Sequence, residues 1–147
     1  MKKLIIFSVV LLVLAALLAS CSSGEEIEYI KSQSAVLSYG KEDNKVAVHA
    51  LITLKNNEKR DIEFTLNGKF SELYEAGVVL YEDVTVTDKN GFSEKLTIPA
   101  NTTVCLKCVF RTTYGGGTMT AGEDGFFAPP DSIGYEIIPE STYGIED

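Results

Sequence analysis

Apolar and polar residues alternate along most of the chain after residue 32, with the period of two that is typical of strands with one buried face. The clearest predicted strand covers 45–55. Its apolar residues on one face are Val46, Val48, Ala50, Ile52 and Leu54. The other predicted strands cover 34–39, 61–67, 79–87, 93–98, 103–112 and 132–138. About seven strands without alternating helices favour an all-β, antiparallel sandwich over a parallel α/β fold.

Short polar segments separate these strands. Residues 40–44 and 56–59 are rich in turn-forming residues, and Asp-Lys-Asn-Gly at 88–91 is a favoured hairpin signal. Pro99 prevents the preceding strand from continuing as a central one. The only helical turn that we expect lies over 71–76.

The N-terminus has the zones of an export signal, with Lys2 and Lys3 ahead of an apolar run over 4–18. This run is shorter than the roughly 20 residues that cross a bilayer as a helix. It ends in a short motif composed of Leu18, Ala19, Ser20 and Cys21. The alternative interpretation is a signal anchor that contains an incidental cysteine.

The motif ending at Cys21 resembles the lipobox of bacterial lipoproteins. The resemblance implies that a signal peptide, 1–20, is cleaved and that Cys21 becomes the lipidated first residue, carrying fatty acyl groups such as palmitate. Two or three acyl chains hold a protein firmly on a membrane, whereas one chain holds it weakly. We therefore expect an extracytoplasmic protein on the bacterial cell membrane. In a two-membrane bacterium, Ser22 after the cysteine resembles outer-membrane sorting.

The charge of the chain narrows the range of partners. The net charge is −8, and removing 1–20 takes away two lysines and no acid, so the mature charge is about −10. Clustered basic residues are needed to bind phosphate, which argues against nucleic acid as a partner.

We expect a lipidated tether over 21–31, one domain over 32–139 and a tail over 140–147.

Three segments carry a second resemblance, which concerns the fold. Residues 50–57, 83–91 and 98–110 resemble the telokin-like, immunoglobulin-fold domains of small bacterial lipoproteins, with Asn101 at a turn position where glycine is usual. The resemblance implies an immunoglobulin-like sandwich. Similar spacing occurs in bacterial proteinase-inhibitor sandwiches. The resemblance therefore supports a prediction of fold more strongly than a prediction of activity.

Cys105 and Cys108 form a C-x-x-C pair, which in other settings is a redox couple or half of a zinc site. Residues three apart on a strand lie about 10 Å apart and point to opposite faces, too far for a disulfide. We predict two separate thiols, with Cys108 in the core and Cys105 outside. We expect no metal and no cofactor.

His49 is the only histidine, and no motif pairs it with a nucleophile. We therefore predict a protein that is not an enzyme, with a hydrolase that has a cryptic site as the least favoured alternative.

The segment Asp88–Gly91 lacks the ligand spacing of a calcium loop, which argues against a calcium site there. A second hypothesis, that Glu123, Asp124 and Asp131 together bind an ion, stays open.

Residues 114–131 form a connection longer than most in compact domains. Its aromatic residues Tyr114, Phe126 and Phe127 are the predicted binding residues, for a protein or glycan ligand. The alternative is that one or both phenylalanines plug the open end of the sandwich. The predicted function is a membrane-anchored binding or envelope-assembly module, with a sandwich-type proteinase inhibitor as the main alternative.

Overall fold

The computed structural model describes residues 24–140, which build two antiparallel sheets. The strands are β1 (Ile27–Tyr29), β2 (Ala35–Glu42), β3 (Lys45–Asn56), β4 (Ile62–Lys69), β5 (Asp83–Thr85), β6 (Leu96–Ile98), β7 (Thr103–Thr113) and β8 (Ser132–Ile137). A 3-10 turn covers Lys31–Gln33, and one short helix, α1, covers Ser71–Glu75. The predicted signal peptide, Cys21 and residues 141–147 lie outside the described residues.

Strand β3 is the centre of the first sheet. Strands β1 and β2 share one edge of it, and β7 follows the other edge from Lys45 opposite Thr113 to Lys55 opposite Thr103. The predicted alternation is confirmed, because all five apolar residues on the chosen face of β3 are fully buried.

Strand β4 is the centre of the second sheet. Strands β5 and β6 share one of its edges, and β8 pairs with the other from Phe64 opposite Ile137 to Lys69 opposite Ser132. Long-range antiparallel pairing therefore organises both sheets, and the predicted all-β class is confirmed at this level.

One apolar core lies between the inward faces of the two sheets. Phe64 and Leu66 of β4 are buried there, as are Cys108 and Phe110 of β7. Phe70 packs edge-to-face on Phe110, with ring centroids 4.8 Å apart.

The segment 79–87 joins the two sheets along the free edge of β7, and here the predicted single strand was wrong. The Leu80 amide donates to the Thr113 carbonyl, whereas the Val86 amide donates to Leu66 on β4 and Val86 also bridges to Phe110. The segment changes partners twice, so only Asp83–Thr85 forms a strand. A period of two does not reveal which neighbour a strand pairs with.

The sandwich begins at Ile27, earlier than the predicted domain boundary at residue 32. Ile27 is fully buried and pairs with Asn56. The predicted tether over 21–31 is therefore wrong for its last residues. The strand was missed because it alternates over only three residues and has acidic neighbours. The helical turn predicted over 71–76 is confirmed by α1.

The two ends of β3 define the orientation of the domain. The Asn57 amide donates to the Glu26 carbonyl (2.9 Å), which places the first described residues beside the Asn56 end of β3. We call this the tether end, and we call the opposite end, at Lys45, the far end. Eleven steps of about 3.3 Å separate them by roughly 36 Å.

Candidate binding loop

Residues 114–131, here called the long loop, leave β7 at the far end of the domain. The Tyr114 amide donates to the Asn44 carbonyl (3.1 Å), and its hydroxyl donates to the Gly117 carbonyl (3.0 Å). The Lys41 ammonium lies 5.1 Å from the centre of the Tyr114 ring, within cation–π range. Tyr114 therefore fixes the start of the loop.

The glycines after Tyr114 allow two backbones to touch. A Cβ atom on Gly117 would lie 2.0 Å from the Ala76 carbonyl oxygen, and one on Gly115 would lie 2.2 Å from that of Gly77. The Gly117 amide donates to the same Gly77 carbonyl (2.9 Å). Only glycine fits these positions, so the glycine run docks the loop on the segment after α1.

The middle of the loop is held on β2. The Tyr39 hydroxyl accepts a hydrogen bond from the Met119 amide (2.7 Å), and the Phe127 amide donates to the Val36 carbonyl (3.0 Å). The Phe127 ring packs against Tyr39, with ring centroids 5.2 Å apart. Phe127 is half-buried against the core, and its backbone bond to Val36 blocks part of the free edge of β2.

A tight turn projects Phe126 outward. The Gly122 amide donates to the Phe126 carbonyl (2.8 Å), and the Asp124 carboxylate accepts from the Phe126 amide (3.1 Å). The Phe126 side chain is 43% exposed. It borders a groove of about 380 Å³ whose lining includes Ser34, Glu72, Met119, Phe127 and Pro129. An exposed ring beside a concave, half-apolar surface is suited to contact an apolar or sugar ring.

The end of the loop is tied to both sheets. The Tyr29 hydroxyl donates to the Pro130 carbonyl (2.9 Å). The Asp131 carboxylate accepts from the Ser71 amide and pairs with the Lys31 ammonium, both at 3.2 Å. Hydrogen bonding from Ser71, aided by Lys31, holds the pKa of Asp131 below its usual value.

The three predicted binding residues therefore have different surroundings. Tyr114 and Phe127 are half-buried and hold the loop in place, while Phe126 is the most exposed of the three. The groove also depends on Tyr39, Met119 and Glu72, which the sequence pattern did not single out. No signal in the sequence identifies Tyr39, because its hydroxyl acts on a residue 80 positions away.

The two cysteines of β7 lie on opposite faces, as predicted. Cys108 is fully buried, Cys105 is exposed, and both are free thiols. Burial is the main cause that raises the pKa of Cys108 to about 12, with smaller contributions from Glu94 and Cys105. A thiol with so high a pKa is a core side chain rather than a nucleophile.

His49 lies on the outer side of β3, opposite Ser38 on one neighbour and Val109 on the other. Within residues 24–140 its ring has no hydrogen-bond partner. A general base needs an oriented nucleophile within hydrogen-bond reach, and the described part of the chain offers His49 none.

No cluster of three metal-ligating side chains occurs in the part of the chain that the structure describes. Asp131 is engaged by Ser71 and Lys31, and Asp124 caps its own turn. Asp88 forms a turn, accepting from the amides of Asn90 and Phe92 at 2.9 Å. The bond from Phe92 is the largest cause that lowers the pKa of Asp88.

Among residues 24–140, no helix has the length and apolar character needed to cross a membrane. Comparison with known proteins gives no further identification: no family model, no curated protein and no solved structure matches this chain.

Proposed function

We propose that this protein is a lipid-anchored, extracytoplasmic lipoprotein whose immunoglobulin-like domain binds a protein or glycan through the long loop and performs no catalysis. The lipid on Cys21 would hold the domain at the membrane by its tether end. The loop starts at Tyr114, beside Asn44 at the far end, and returns along β2, so Phe126 and Phe127 lie near Val36, opposite the middle of β3.

The strand pairing supports the immunoglobulin-like assignment. Such sandwiches place strand A beside B and B beside E in one sheet, and C beside F in the other. The first sheet matches the A–B–E order with β1 and β2, β3, and β7. The second matches C′–C–F with β5 and β6, β4, and β8. Within residues 24–140, no strand takes the place of D, beside E, or of G, beside F.

The exposure of Phe126 is the observation that carries the proposed binding role. Its neighbour Phe127 is packed on Tyr39, yet Phe126 stays exposed on a turn fixed by its own hydrogen bonds. Leaving 43% of this side chain in water forgoes roughly 1 kcal/mol of burial. An aromatic side chain exposed on an ordered loop is suited to anchor a partner.

Site-specific photo-crosslinking in intact cells tests this role. A benzoyl-phenylalanine placed at Phe126 of the full chain should give a discrete adduct on irradiation. The matched control is the same group at Lys107, which is exposed on the outer face of β7. An adduct from position 126 alone supports the proposal. No adduct, or the same adduct from both positions, contradicts it.

A proteinase inhibitor is the second candidate, favoured by exposed apolar side chains on other connections. Leu80, Tyr81 and Phe92 are 49%, 59% and 72% exposed. The segments that carry them both approach the far end, since Leu80 bonds to Thr113 and Gly91 lies beside the Lys45 ammonium. Slowed peptide hydrolysis by secreted proteases, lost in Phe92→Ala, would favour this candidate.

A further inference from the structure

Strand β8 has a free backbone edge. The Ile138 amide donates to the Glu63 carbonyl (2.8 Å), so the even-numbered residues of β8 face β4 in the antiparallel ladder. The amide and carbonyl groups of Ile133, Tyr135 and Ile137 therefore point to the opposite edge. Within residues 24–140, no other group is hydrogen-bonded to them.

The same three residues also mark a gap in the core. Their side chains face inward beside Phe64 and Leu66, which are buried, but Ile133, Tyr135 and Ile137 are only half-buried. A strand next to β8 would cover them. Among residues 24–140, this sheet therefore lacks a strand that would pair with the free backbone groups of β8 and cover these three side chains.

Other features of the fold show that this edge is unusual. The free edge of β2 is partly blocked, because Phe127 bonds to Val36 and its ring packs on Tyr39. Strand β8 has little of the usual protection of an edge, since it contains no proline or lysine, its register with β4 is unbroken and Glu136 is its one charged residue. An unprotected edge is a template for another extended segment.

Charge indicates which segment fits. From Thr112 to Asp147 the sequence contains seven acidic residues and no lysine, arginine or histidine. Asp131, Glu136 and Glu140 are exposed around β8. A second copy would bring the same acidic stretch to the edge. All charged residues after β8 in this chain are acidic as well, so both segments would meet like charge. A basic partner is complementary.

We propose that the free edge of β8 binds an extended, basic segment of a partner protein as an added antiparallel strand. Alternate apolar residues of that segment would cover Ile133, Tyr135 and Ile137. Its lysine or arginine residues would lie on the outer face, beside Glu136. This surface is separate from the long loop, so the inference is independent of the binding role proposed for Phe126.

Amide hydrogen exchange on the full chain in detergent micelles tests the inference. The probe is an acetylated octapeptide that alternates valine and lysine. At saturation it should slow exchange at Ile133, Tyr135 and Ile137 by at least about tenfold. Gly134 and Glu136, already bonded to β4, should change little. Octapeptides that alternate valine with glutamate, or serine with lysine, should give no protection.

Two charge reversals provide the matched comparison. Glu136→Lys should weaken binding of the valine–lysine peptide by at least about fivefold, because it places a like charge beside the added strand. Glu63→Lys lies on β4, one strand farther away, and should change affinity much less. Phe126→Ala should leave peptide binding unchanged.

Three results would overturn the inference. One is that the valine–lysine peptide binds to saturation without slowing amide exchange at Ile133, Tyr135 and Ile137. The second is protection in the free protein that rises with protein concentration, which would indicate a second copy at the edge. The third is protection in the free protein that disappears when the chain is cut after Glu140, which would assign the edge to the chain's own C-terminal segment.

Discussion

The Tyr39 hydroxyl group holds the Met119 backbone at both ends, accepting from its amide (2.7 Å) and donating to its carbonyl (3.1 Å). These two bonds fix the middle of the long loop on β2. Tyr39→Phe should therefore lower the free energy of unfolding by about 1–2 kcal/mol and speed exchange of the Met119 amide. Denaturant titration measures the first effect.

Tyr81→Phe is the matched control for the Tyr39 variant, because Tyr81 is 59% exposed and its hydroxyl has no hydrogen-bond partner among residues 24–140. It should leave stability unchanged. If Tyr39→Phe behaves like this control, the hydroxyl does not hold the loop.

The adjacent phenylalanines should respond differently to truncation. Phe127→Ala removes a half-buried ring that packs on Tyr39 and should cost about 2–3 kcal/mol of stability. Phe126→Ala should cost less than about 0.5 kcal/mol, since its ring is largely outside the core. Large, equal losses in thermal or chemical unfolding would make both rings structural and remove the support for a contact role.

Asn56 should be among the most sensitive polar positions. Its fully buried side-chain amide donates to the carbonyls of Arg60, Ile98 and Pro99, and its oxygen accepts from the Glu58 amide. Asn56→Ala leaves these groups without that partner and should cost about 2–3 kcal/mol.

Asn57→Ala provides the comparison for Asn56, because Asn57 is exposed and, among residues 24–140, its side chain donates only to the Glu25 carbonyl. It should cost less than about 0.5 kcal/mol. Similar unfolding midpoints for the two variants would mean that the Asn56 bonds do not join the strands at the tether end.

The two thiols of β7 should differ in reactivity. Iodoacetamide at pH 8 should modify Cys105, which is exposed, and leave Cys108 unmodified until the protein unfolds. Trypsin cuts after Lys107, so the two cysteines appear in separate peptides, 96–107 and 108–111, for mass measurement. Modification of both in the native state would contradict the burial of Cys108.

The same thiol gives a pH dependence with a definite sign. The pKa of Cys108 is raised to about 12 in the folded protein, whereas an unfolded thiol ionises near pH 8.5. Between these values the unfolded state loses a proton that the folded state keeps. The contribution of Cys108 to stability is thus complete below about pH 8.5 and declines as pH rises toward 12. Cys108→Ala should flatten this decline.

The alternation of apolar and polar residues predicted the long strands and their buried faces. The alternation from Val46 to Leu54 identified β3 and its buried face, and Pro99 correctly separated β6 from β7. The segment 79–87 was mispredicted because its partners alternate between two sheets. The short strand at Ile27 gave too few positions to show a period.

The candidate site was less predictable because its contacts are long-range. Loop length and aromatic content singled out Phe126 and Phe127, but which ring is buried depends on Tyr39, far away on β2. The sequence does not show which residues the glycine run at 115–117 contacts, and the structure places it against Ala76 and Gly77. Such contacts follow from topology rather than composition.

Metabolic labelling with an alkyne analogue of palmitate tests the central claim, that Cys21 carries a lipid, most directly. Wild type and Cys105→Ala should both be labelled, and Cys21→Ala should be unlabelled and released from the membrane fraction. A wild-type protein without label, or a Cys21→Ala variant that keeps it, would contradict the account.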